Sequence, residues 1–338
     1  MITIKQVASH ANVSSATVSR VLNNDARVSQ EVRQRVLASV SELGYRPNRI
    51  ARSLRRQSSE TIGVIVSDIE NPHFTRAVRT IENAAYEQGY RVILCNTDES
   101  GEKQKAYLEV LAAEQVTGII LAPAVADDPT ISEILDRGIP IVAFDRNVDD
   151  ERADAVLADN VTAAQLATEH LINLGRKHIG FVAGRQQIRT GRDRLRGYEL
   201  AMSEAGREPI VAQGGFRLEL ARQATTDLIN NHQELDGLVV ANNLMAIGAV
   251  EALGTEKVKI PGQVAVVGID DPPWSGLISP AMTTLAQPTQ IMATQAFDLL
   301  VGRIRKERSI PREMVYQFDL RVRESCGSHV LNGKEEYV

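Results

Sequence analysis

TIKQVASHANVSSATVSRVLNN, residues 3–24, carries two short helical patterns around a tight turn. Thr3 is placed to cap the first, its side-chain oxygen accepting from the free amides of the opening turn. Ile4, Val7, Ala8 and Ala11 follow at helical spacing and form one apolar stripe. Asn12 is among the few non-glycine residues that tolerate the left-handed backbone needed to end such a helix abruptly. Val13 plugs the turn and Ser14 caps a second helix, in which Val18, Val21 and Leu22 face inward while Ser15, Ala16, Ser19 and Arg20 face out. Two short helices joined this tightly match the helix-turn-helix, whose second helix lies in the DNA major groove. A three-helix bundle with no nucleic-acid role would not explain an outward face that is small, polar and closed by Arg20.

Beyond this stretch, Val28-Ser29 opens a third helix with Val32, Val36, Val40 and Leu43 inward, stopped by Gly44. Pro47 forbids its continuation, and Asn48 can cap a short helix, NRIARSLRR, ringed by Arg49, Arg52, Arg55 and Arg56. So short a helix is unstable alone in water, and it is expected to fold against DNA and a partner copy. There Leu54 would act as a minor-groove wedge between phosphate-holding arginines. Residues 1–61 hold ten cationic side chains against four carboxylates, a net +6; the whole chain carries −5, so the remainder carries −11. A basic head on an acidic body is the charge layout of a DNA-binding module attached to another domain.

From residue 61 the pattern changes. TIGVIVS, YRVILCN, GIILA and PIVAFD read as buried parallel strands, with amphipathic helices over 73–88, 102–114 and 130–137 between them. The series restarts with HIGFVAG, GLVVAN and VAVVGID, alternating with helices near 161–174, 190–205, 217–231 and 243–253. Two such runs predict an α/β body of two doubly wound parallel-sheet lobes. Ligands bind such sheets outside the carboxyl ends of the strands, and those positions are polar or aromatic: Asn71, Phe74, Asp145, Arg146, Arg194, Phe216, Asn242, Asp270 and Gln287. Carboxylates, amides and guanidinium groups pair with vicinal hydroxyls, and the two phenylalanines offer flat faces to a sugar ring.

The stretches 3–24 and 28–54 closely resemble the head of the lac repressor/galactose repressor family, and the similarity continues through the body. By that resemblance the chain is a DNA-binding transcription regulator, expected to be a repressor. Its body is similar to the periplasmic sugar-binding proteins, used as an effector domain. The resemblance implies DNA contacts from Thr3, Ser14, Ser15, Ala16, Thr17, Ser19, Arg20 and Asn23, and from Asn48, Ala51, Leu54 and Arg55 of the hinge. It aligns the nine strand-end residues with the ligand contacts of ribose-type binding proteins. Asn12 replaces the family's usual glycine, Asn243 its usual aspartate, and His73 the aromatic of ribose binders. Phosphorylated and purine effectors also occur in the family.

The expected organisation is a helix-turn-helix domain over 1–46, a hinge helix and linker over 47–60, a two-lobed effector and dimerisation domain over 61–329, and a tail over 330–338. The partners implied are a near-palindromic DNA operator, a small sugar effector and a second copy of the chain. The tail lacks apolar heptads, so a dimer is expected. Effector closure of the lobes is expected to separate the hinge helices. No stretch approaches the ~18 apolar residues of a spanning helix, no secretory signal is visible, and Cys95 and Cys326 are too few for a disulfide framework, which together point to the cytoplasm. The motifs of phosphate loops, dinucleotide sites, zincins and hydrolase elbows are missing, and the six histidines lack metal-ligand spacing. No cofactor, metal or catalytic residue is therefore expected. The rival readings are a carbohydrate-binding protein without a regulatory role and an enzyme on the same α/β fold.

Overall fold

The computed structural model describes residues 2–22, 25, 27–45 and 60–328. It divides into two units, 1–59 and 60–338.

In the first unit Thr3 caps α1 (Ile4–His10) within a capping box completed by Gln6, which satisfies two orphan donors at once. Asn12 takes φ +49°, so the left-handed turn falls where the sequence places it. The Ser14 hydroxyl accepts from the Thr17 amide at 3.1 Å and opens α2 (Ser15–Leu22). α3 (Gln30–Glu42) closes the bundle over Val7, Ala8, Ala11, Val18, Val21 and Val36. Arg35 Nε donates to the Ala11 carbonyl at 2.9 Å and ties α3 to the end of α1.

The second unit holds two six-stranded sheets. Sheet one runs β11-β5-β4-β3-β1-β2, built from β1 (Thr61–Val66), β2 (Arg91–Asn96), β3 (Ile119–Leu121), β4 (Ile141–Asp145), β5 (Asp154–Ala158) and β11 (Glu313–Tyr316). Sheet two runs β12-β10-β9-β8-β6-β7, from β6 (Ile179–Ala183), β7 (Ile210–Gln213), β8 (Gly237–Val240), β9 (Ala265–Ile269), β10 (Thr283–Ala286) and β12 (Asp319–Arg321). Helices α4 (Pro72–Glu87), α5 (Gly101–Ala113), α6 (Pro129–Asp136), α7 (Asn160–Asn173), α8 (Arg189–Glu204), α9 (Leu218–Asn231), α10 (Asn243–Thr255) and α11 (Thr289–Ile304) make the connections. β1, β4, β6, β8 and β9 are buried almost throughout, as expected for parallel strands covered on both faces.

The sequence reading needs three corrections here. The chain crosses between the lobes three times, not once. It enters sheet two through α7, returns to sheet one through α11 and β11, and crosses back to β12. The second sheet is not wholly parallel, because β12 runs antiparallel to β10. Finally, β5, β7, β11, β12 and α11 are additional elements. The residues 46–59 and 329–338, on which the expected hinge helix and tail fall, lie outside the described residues.

Candidate functional site

All nine strand-end residues line one cleft between the carboxyl ends of the two sheets. This is where a doubly wound sheet exposes free amides and loop side chains. Sheet one contributes Asn71, Phe74, Asp145 and Arg146. Asn71 caps α4, its Oδ1 accepting from the His73 amide at 2.9 Å. That same oxygen accepts from Asn243 Nδ2 at 2.9 Å, a hydrogen bond that joins the lobes. Asp145 ends β4 with φ +66°. Burial opposes its charge, but His73 at 3.4 Å and the guanidinium groups of Arg146 and Arg194 outweigh that and hold the carboxyl below the ordinary range. Arg146 is gripped by Glu99 through two parallel hydrogen bonds of 2.6 and 2.7 Å. Glu99 raises the Arg146 pKa against the opposing effect of burial.

Sheet two contributes Arg194, Phe216, Asn242, Asp270 and Gln287. Arg194 Nε donates to Asn160 Oδ1 at 2.7 Å, and its terminal nitrogen donates to the Ala241 carbonyl and lies 3.8 Å from Asp270. Gln287 Nε2 donates to Asp270 Oδ1 at 3.2 Å. Asn242 caps α10 by accepting from the Met245 amide. Phe216 takes φ +61° and Asp270 φ +72°. Together with Asp145, this makes three cleft residues in a backbone region that side chains rarely occupy, which marks strain held for a purpose. Gly184 is required beneath Phe216: a Cβ there would lie 2.1 Å from the ring.

The strand-end argument missed several cleft residues. Asp68, Glu99, Arg185 and Arg217 also line it, and Asp68 reaches Arg217 across the lobes at 3.7 Å. Asp68 and Glu99 follow β1 and β2, so the same rule applied to the residues just after those strands would have found them. His73, noted above only as a departure from the ribose binders, lines the cleft as well. The ionisable lining balances, with four carboxylates (Asp68, Glu99, Asp145, Asp270) against four guanidinium groups (Arg146, Arg185, Arg194, Arg217).

Eight buried side-chain polar atoms among the described residues lack a hydrogen-bond partner. Three belong to residues lining the cleft, Gln287 Oε1 and, each in looser ion-pair range of the Asp145 carboxylate at 3.4 and 3.5 Å, His73 Nε2 and Arg146 Nε; a fourth is Oδ1 of Asn243 beside Asn71. Buried polar groups are normally satisfied, so this clustering points to a polar ligand. No group of three or more His, Cys, Asp or Glu side chains among the described residues could hold a metal, and no described helix is long and apolar enough to cross a membrane.

In the head, Ala16 and Arg20 are exposed on α2, with Ser15, Thr17 and Ser19 half-buried beside them. Thr3 and Ser14 form caps whose hydroxyls remain at the surface. Asn23, Asn48, Ala51, Leu54 and Arg55 lie outside the described residues.

A family profile described as bacterial regulatory proteins, lacI family, matches residues 3–48. A second, described as periplasmic binding proteins and sugar binding domain of LacI family, matches residues 59–324. The ribose operon repressor of Halalkalibacterium halodurans is 36% identical over 307 residues, 91% of this chain and 92% of that protein. A lac repressor dimer bound to operator and the anti-inducer ONPF superposes with a TM-score of 0.85 at 27% identity, over 96% of this chain and 99% of the other. An Enterococcus faecium LacI-family regulator with bound ribose superposes with a TM-score of 0.73 at 28% identity, over 78% of this chain and 98% of the other. With both of its parts matched, the chain belongs to the lacI family of bacterial regulatory proteins, DNA-binding transcriptional repressors that answer to a small ligand.

Proposed function

We propose that this chain is a cytoplasmic, homodimeric repressor whose effector is an uncharged pentose of the ribose class, bound by Asn71, Phe74, Asp145, Arg146, Arg194, Phe216, Asn242, Asp270 and Gln287. The observation that carries the reading is the cluster of buried polar atoms without a hydrogen-bond partner in a cleft whose carboxylates and guanidinium groups are equal in number. A phosphorylated sugar would find Arg146 held by Glu99 and Arg194 engaged with Asn160, Ala241 and Asp270, which leaves only Arg185 and Arg217 to meet its charge. A neutral ring with several hydroxyls asks only for the paired donors and acceptors present. The similarity to a ribose operon repressor and to a family regulator with bound ribose supports the same class.

In this reading α2 presents Ser15, Ala16 and Arg20 to base edges, with Thr3, Ser14, Thr17, Ser19 and Asn23 around them. The hinge residues Asn48, Ala51, Leu54 and Arg55 engage the minor groove, and two copies meet the half-sites of a near-palindrome. The chain binds its ligand without turning it over. Titration calorimetry with D-ribose, other pentoses, hexoses, sugar phosphates and purines tests this. Saturable ribose binding that is lost in Asp270→Ala is the expected result. Binding confined to a phosphate or a purine would overturn the pentose assignment.

A further inference from the structure

His73 sits between the rings of Phe74 and Phe144 and the carboxylate of Asp145. Its ring stacks on Phe144 (centroids 5.8 Å apart, planes at 17°) and meets Phe74 edge-on at 5.0 Å. Nδ1 is 3.0 Å from Thr289 Oγ1, so packing and one hydrogen bond fix the ring's orientation. Nε2 is buried, without a hydrogen-bond partner, and 3.4 Å from Asp145 Oδ1. A bare Nε2 lone pair at that distance from a carboxylate would be repelled. An Nε2–H therefore faces the carboxylate, and Nδ1 shares its hydrogen bond with the Thr289 hydroxyl.

An N–H donor and a carboxylate acceptor then stand side by side with a separation too long for a good hydrogen bond between them. We infer that His73 and Asp145 together read a single hydroxyl of the effector, which accepts from His73 Nε2–H and donates to Asp145 Oδ1. This makes His73 a specificity-determining residue that rejects sugars lacking that hydroxyl. Without the hydroxyl both groups stay buried and unmet, which is the costly outcome for a polar pair. The inference rests on the pentose reading above.

The test is calorimetric titration of the full-length protein with D-ribose and the singly deoxygenated riboses, for the unmodified chain, His73→Phe and His73→Gln. The unmodified chain is expected to disfavour one deoxy analogue by roughly tenfold or more. His73→Phe should lose a similar factor for ribose and narrow, without abolishing, the gap between ribose and that analogue, because Asp145 still accepts from the hydroxyl, while discrimination against the others is kept. His73→Gln, which can again offer an N–H, should restore part of the difference. Unchanged ribose affinity in His73→Phe, or an equal loss against every sugar, overturns the inference and leaves the pentose reading intact. Ribose failing to bind the unmodified chain overturns the pentose reading and this inference with it.

Discussion

Gly184→Ala adds one methyl group at the end of β6, where the backbone itself accepts it. The new Cβ would stand 2.1, 2.2 and 2.7 Å from three atoms of the Phe216 ring. Carbon atoms in comfortable contact are about 3.5 Å apart, so the ring must retreat by roughly 1.4 Å. It cannot retreat into the strand, and Phe216 at φ +61° gives its backbone little room to follow; the ring therefore swings into the cleft. Overpacking of this kind costs about 1–3 kcal/mol. If the sugar needs the ring where it is, that cost falls on binding, and at tenfold per 1.4 kcal/mol the effector Kd rises by about 5- to 150-fold. Calorimetry gives the Kd, and fluorescence anisotropy on a labelled operator reports whether the head still binds DNA. An unchanged Kd with a displaced ring would show that Phe216 does not face the ligand.

Asp270→Ala removes the acceptor of Gln287 and the carboxylate facing Arg194. It should weaken effector binding by about 2–4 kcal/mol while operator binding survives, and normal release by the sugar would refute the assignment. In the DNA-binding part, Arg20→Ala is expected to cost about 1–3 kcal/mol in operator affinity, and Leu54→Ala to abolish specific but not salt-sensitive non-specific binding; gel shifts at two salt concentrations separate these outcomes. Tyr198 is buried, which raises its hydroxyl to about 12, against the opposing pull of the Ile210 amide it accepts from. Its folded pKa lies above the unfolded value near 10, so its contribution to stability is complete below pH ~10 and is lost as pH rises toward 12; ultraviolet titration should show one tyrosinate appearing together with unfolding.

Those elements whose signals are local could be read from sequence. Thr3, Asn12 and Ser14 mark the head's turns because each acts on backbone within four residues of itself. The helices α4 to α8 begin within a residue of their expected starts because Asn71, Ser100, Asp128 and Asp159 cap four of them in sequence. What failed depends on distant partners. β5 opens on Asp154, fully buried, a residue that reads as a loop until Arg303 and Arg308 arrive from the end of α11 to neutralise it. β7 and β11 alternate between half-buried and exposed along sheet margins, so their hydrophobic signal is weak. α11 begins after Pro288 without a side-chain cap, which removes the start signal. The cleft was largely legible because its residues follow strands. His73 was not, since its meaning lies in Asp145 and Thr289, one of them 216 residues away.

Both sheets contribute to the cleft, so the relative placement of the lobes is the variable that an effector can bias. A ligand shifts that placement only as far as its affinities for the alternatives differ. Asn71–Asn243 and Asp68–Arg217 bridge the lobes, and any rearrangement must keep or break these bonds. Three chain crossings limit the motion to a hinge, because each lobe is continuous with the other at three points. If operator binding prefers one placement, effector and operator must change each other's affinity by the same factor, about 5- to 150-fold for a coupling of 1–3 kcal/mol. Four dissociation constants close that cycle: effector with and without operator, and operator with and without effector. Equal ratios are expected. Unequal ratios at varied protein concentration would mean that the effector acts on the association of the two copies instead of on the lobes, and the hinge account would fall.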